Sequence, residues 1–296
     1  MGKKSPVYIK LADRWVKKHK ELQEAFWAKH GDVVHEFVTN TKNFAVGSVS
    51  GLMLLSSPIS GLLPPSTALA VQESPLTVDV NSIDKSAFFI SDLSKVVPAE
   101  VRPLTSEEEG LISEVLTRQF GFKVTPELDG IRLNRSYGYI GAEQHLARYP
   151  GDTMASHFDN GEDSQKYYSS GMAPGLGAWG YFTQSASAMT QKDIDREKYY
   201  IATQTFLAPG FAERTGDYIR FFKYRKMLVV NAENGSAMVV VIGDAGPAEW
   251  TGKSLGGSPE VMKHLNRVDG RQKGPVLYFF IDDPNDEIPL GPIDIK

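Results

Sequence analysis

The sequence predicts an α+β chain that is mainly β, with a β-rich module of barrel or sandwich type at its carboxy end. Three observations predict it. From Gly171 onward the chain turns into short apolar runs separated by glycines and turns. Lys226–Asn231 and Ser236–Gly243 flank an Asn234-Gly235 step, which is a strong hairpin signal between β-branched runs. Met238-Val239-Val240-Val241-Ile242 does not alternate with polar residues, as expected of a strand covered on both faces.

Composition bounds the rest. The chain has 296 residues, a length that allows about two domains, with 41% apolar residues and a net charge of −4. That balance is unlike a nucleic-acid-binding surface. With no cysteine, a disulfide framework, a thiolate metal site and a cysteine nucleophile are all excluded.

In chain order, residues 1–43 form a basic leader, with nine Lys/Arg against five acids. Leu11, Trp15, Leu22, Phe26 and Val33 give it near-helical apolar spacing. Phe44–Gln72 carries no charge, and Phe44–Leu63 is long enough as a helix to cross a membrane core of roughly 30 Å. The remainder is acidic, net −8. Positive leader, apolar stretch and acidic body predict export, with residues 44–70 as signal or signal anchor and the body in the cell envelope or outside the cell. Ala68-Leu69-Ala70 offers a small-x-small cleavage site.

Residues 71–104 read as a linker with one strand at Ala87–Ile90. A small lead-in spans 105–170. Its helix opens at Thr105-Ser106 with Glu107, Glu108 and Glu109 at the positive end, buries Leu111, Ile112, Val115 and Leu116, and closes at Gly121. Ser156–Gly171 reads as an exposed polar loop. The module at 171–296 holds the hairpin, a helix opened by Ser258 with Pro259 at its first position, and the final apolar strand Pro275–Asp282.

Gly177-Ala178-Trp179-Gly180-Tyr181, the hairpin, Gly243-Asp244-Ala245-Gly246-Pro247, the helix Pro259–Leu265 and the strand Val276–Ile281 follow one another at telling spacing. In this order the stretch 175–282 resembles the rare-lipoprotein-A-like family, related to expansins and membrane-bound lytic transglycosylase A. The resemblance implies a six-stranded double-psi β-barrel that engages wall glycan. Two departures stand out: Tyr200–Thr205 lacks the family's histidine, and Gly256-Gly257 replaces its second aspartate.

The resemblance makes Asp244 the candidate general acid/base of a lytic transglycosylase, which needs one residue in both roles. A carboxyl leaving a dry strand has a raised pKa, as that chemistry requires. The plain alternative is that Asp244 caps a turn amide. Glu249 is a candidate helper carboxylate. Trp179, Tyr181 and Trp250 are candidates for stacking on sugars or for core packing, and Lys253 for contacting acidic polymer. Without the histidine and second acid, a non-catalytic, expansin-like polysaccharide-binding module is the alternative. The expected partners are cell-wall glycan or another polysaccharide, and the membrane through residues 44–63.

No cofactor motif is present, and no metal is expected in the glycan reading. Glu143, His145, Asp152, His157 and Asp159 form a second constellation, which points to a zinc peptidase as a rival; its spacing fits no helical His-x-x-x-His pair. Arg132 and Arg135 are nearby candidates for peptide carboxylates.

Overall fold

Thr105 caps a helix with defined signals at both ends. Its hydroxyl accepts from the Glu108 amide while the Glu108 carboxylate accepts from the Thr105 amide, a reciprocal cap. At the other end Gly121 takes φ 75°, and its amide closes on Thr117 O. The computed structural model describes residues 85–267 and 274–296. The expected leader helix, export segment and Ala70 cleavage site therefore lie outside the described residues.

In chain order the elements are α1 (Lys85–Val96), α2 (Ser106–Phe120), β1 (Val124–Thr125), β2 (Glu127–Leu128), β3 (Ile131–Arg132), β4 (Tyr137–Ala142), α3 (Gly161–Tyr167) and α4 (Gln191–Lys198). They continue with β5 (Tyr200–Thr203), α5 (Thr215–Phe222), β6 (Lys226–Val230), β7 (Ala237–Ala245), β8 (Leu255–Gly257), α6 (Pro259–His264), β9 (Gly274–Ile281) and β10 (Gly291–Ile293). All fall within one compact unit.

Six strands close a mixed barrel. β4 pairs parallel with β8, β8 antiparallel with β5, and β5 parallel with β7. β7 then pairs antiparallel with β6, β6 with β9, and β9 with β4, which completes the ring. Closure leaves these strands no open edge within the ring.

Two apolar layers explain why the strands do not alternate. Met227, Val229, Met238, Val240, Ile242, Val276, Tyr278 and Phe280 point into the barrel. Their neighbours Leu228, Val230, Val239, Leu277, Phe279 and Ile281 point outward, where α1 and α2 cover them with Phe89, Leu93, Ile112, Leu116 and Phe120. The two-residue periodicity persists, but both faces are dry.

Several expectations are corrected. Ala87–Ile90 is helical, because Phe89 and Leu93, one turn apart, are the residues that bury. Gly177–Tyr181 forms a turn instead of a strand. The ring takes its first strand from Tyr137–Ala142, inside the segment read as a separate lead-in. Ser156–Gly171 includes α3 and a fully enclosed His157. The Asn-Gly hairpin, the Ser258-Pro259 helix and the closing strand form where the sequence placed them.

Candidate functional site

A buried polar centre sits against the barrel, built by the long connection between β4 and β5 together with α4. His145 follows β4 by three residues and is fixed by its backbone: its amide donates to Gly171 O, and its carbonyl accepts from Ala173 N. Tyr149-Pro150-Gly151-Asp152 is a tight turn closed by the Asp152 amide on Tyr149 O at 3.1 Å, with Gly151 at φ 88°. The turn brings the Asp152 carboxylate back to accept from the Arg148 amide at 2.9 Å.

His157 bridges two acids. Its Nδ1 donates to Asp152 Oδ2 at 2.9 Å, and its Nε2 to Glu197 Oε2 at 3.0 Å. The other Glu197 oxygen, Oε1, accepts from the Leu146 amide at 2.9 Å and lies 3.3 Å from His145 Nδ1. His145, Arg148, His157 and Glu197 are all at most 3% exposed.

Burial opposes a charge on His157, but the two carboxylates outweigh it and push its pKa up to about 9. Burial likewise opposes charge on Glu197, yet hydrogen bonds from the two histidines hold it ionised and well below the ordinary range. The rings of His145 and His157 lie 4.7 Å apart, with the Phe158 ring edge-on to both.

A cavity of about 260 Å³ opens beside this centre, lined by His157, Glu197, Lys198 and Glu260 among others. Glu260 enters from the first turn of α6, whose cap Ser258 donates to Lys198 O and so ties α6 to the end of α4. Burial pushes the Glu260 carboxyl up to about 7, and its Oε2 has no hydrogen-bond partner. The buried His145 Nε2 likewise has none.

Asp244 occupies a second locality, at the end of β7. A bulge sets Ile242 opposite Ile201 and Asp244 opposite Ala202, leaving Gly243 as the extra residue. Asp244 Oδ1 accepts from the Ala178 amide at 2.6 Å and the Ala245 amide at 2.7 Å. Burial raises its pKa, and the two amides work against the rise. Trp179 reaches the same strand end, donating from Nε1 to Ile242 O at 3.1 Å while its ring packs on the barrel core.

The remaining sequence candidates disperse. Glu249 is exposed, and Trp250 is 85% exposed on a short 3-10 turn (Glu249–Thr251). Tyr181 is 38% exposed on the turn after Trp179. Lys253 pairs with Glu143 at 2.7 Å, which takes Glu143 away from the histidines. Asp159 meets Arg148 at 3.3 Å, at the rim of the polar centre. Arg132 is engaged internally with Glu109 at 2.9 Å, and Arg135 lies 3.5 Å from the Ser254 hydroxyl.

Sequence reasoning missed Glu197 and Glu260. Glu197 stands in the highly charged helix Gln191–Lys198, which reads as solvated, and its burial follows only from how α4 docks. No family model, curated protein or solved structure matches the chain.

Proposed function

We propose that this chain is an exported cell-envelope protein whose barrel, of the double-psi kind, binds wall glycan without cleaving it. Trp250 carries the reading. An indole left 85% exposed on a turn that follows the Asp244 strand end offers a free flat face that suits stacking on the apolar face of a pyranose. Tyr181, exposed on the turn tied to that strand end, supplies a second aromatic face. The closed mixed ring and the order of its strands support the double-psi assignment, and the uncharged stretch at 44–72 supports export.

The test is sedimentation of the full chain with purified sacculi. Wild type pellets with the wall material, and Trp250→Ala lowers the bound fraction at least about tenfold while its circular dichroism is unchanged, a loss equivalent to ~1.4 kcal/mol. A folded wild type that stays in the supernatant overturns the reading.

One observation favours a second reading, in which Asp244 cleaves. Its burial raises the carboxyl pKa, the direction a proton donor to a glycosidic oxygen needs. Two amides on Oδ1 favour the anion and argue for the binder. Anhydro-muropeptides released by wild type but not by Asp244→Asn, read by mass spectrometry, would establish cleavage; pelleting without release establishes the binder.

A further inference from the structure

We propose that His145, His157 and Glu197 bind one divalent cation of the zinc class, with a coordination position open to the adjacent cavity. The inference goes beyond the glycan reading and does not depend on it.

The donor geometry comes first. One ligand atom from each of the three buried side chains lies within 4.8 Å of the other two. The nitrogen–oxygen separations are 3.3 Å from His145 Nδ1 to Glu197 Oε1 and 3.0 Å from His157 Nε2 to Glu197 Oε2. A tetrahedral ion with bonds of about 2.0–2.1 Å has donor–donor edges of roughly 3.3 Å. Each imidazole nitrogen thus already stands at about that distance from one Glu197 oxygen, and side-chain rotation would bring the three groups onto one ion.

The surroundings supply a second, independent observation. His145 is fully buried, yet its Nε2 has no partner. Buried ring nitrogens are ordinarily satisfied, so His145, whose Nδ1 faces Glu197, has a second ring nitrogen left without a protein partner. His157 carries the supporting contact typical of metal-bound histidine: Asp152 accepts from Nδ1 and fixes the ring so that Nε2 faces Glu197. Asp152 is itself fixed by the Arg148 amide.

Chemistry selects the ion class. Two imidazoles and one carboxylate suit zinc and its neighbours, whereas calcium and magnesium prefer oxygen donors throughout. Three protein ligands leave a fourth position, as in zinc sites that keep a water. The cavity of about 260 Å³ begins at His157 and Glu197 and includes Glu260, whose Oε2 is unpartnered.

The experiment uses the full chain, stripped with chelator and dialysed against zinc chloride, with metal content read by mass spectrometry. Isothermal titration gives the affinity, and cobalt chloride serves as a spectroscopic probe. Wild type should hold one zinc per chain, and cobalt should show the visible absorption of a low-coordinate nitrogen–oxygen site. Asp152→Asn should weaken zinc binding about 10–100-fold, and Glu197→Gln should abolish the stoichiometric site. Asp159→Asn, at the rim, should leave the affinity within about twofold. Circular dichroism identifies variants that fold. A folded wild type without stoichiometric zinc overturns the proposal, and so does undiminished binding in folded Glu197→Gln, since His19, His30 and His35 would then account for the metal. Neither result bears on sedimentation with sacculi, so the two readings fail separately.

Discussion

Glu108 shows how much one side chain can settle. It ties Arg102 at 2.6 Å and accepts from the Thr105 amide at 2.8 Å. The Arg102 hydrogen bond comes first among the causes that bring its pKa down to about 2, and the Thr105 amide adds to it. A carboxyl whose folded pKa is depressed contributes stability above its unfolded pKa and loses it as pH falls through the folded value. The first turn of α2 should therefore keep its cap at pH 5 and lose it progressively between about pH 4.5 and 2. Carboxyl NMR of Glu108, with amide exchange at Ser106–Glu109, reads this directly; a Glu108 midpoint near 4.5 would contradict it. Gly243 is a second decisive position. A Cβ there would meet Tyr200 Cβ at 2.6 Å, so Gly243→Ala should destabilise by about 1–3 kcal/mol in urea unfolding.

At the scale of elements, α1 is the clearest lesson. Ala87-Phe88-Phe89-Ile90 is as apolar as a strand, and length alone does not separate the two states. Burial does: Phe89 is 1% exposed and meets Phe120 edge-on at 5.5 Å, while Phe88 is 66% exposed. Phe89→Ala should cost about 3–5 kcal/mol, and Phe88→Ala should stay within about 0.5, in paired denaturation curves. Equal effects would contradict the helix. Where capping and turn chemistry are local, the sequence was readable: Thr105 with Glu108, Asn234-Gly235, and Ser258-Pro259 all form as their residues predict. Asp129-Gly130, which joins β2 and β3 with both residues at positive φ, carried the same kind of signal and went unread. The polar centre was half legible. His145, Asp152 and His157 stand close in sequence, but Glu197 lies 40 residues beyond His157 and is brought in only by tertiary docking. Glycine-rich order misled at Gly177–Tyr181, where the backbone turns to donate an amide to Asp244.

For the whole molecule, the barrel wall is doubly covered on one side, with side chains of β6, β7 and β9 buried both inside the ring and beneath α1 and α2. Their amides have no route to solvent short of global opening. Native-state hydrogen exchange at Leu228, Val239 and Phe279 should therefore report the full unfolding free energy, while α3, with no buried residue, exchanges well below it. Faster exchange in β6 than in α3 would contradict the layering.

Ring closure also sets an order of events on the growing polypeptide. β4 is made early, yet four of its six residues pair with β9, made more than 130 positions later. A nascent chain halted before Gly274 leaves that flank of β4 and one flank of β6 without their backbone partners. Contacts so distant along the chain make folding slow, on the order of milliseconds to seconds. The cylinder therefore cannot zip shut until synthesis has passed Ile281, however early β4 is laid down.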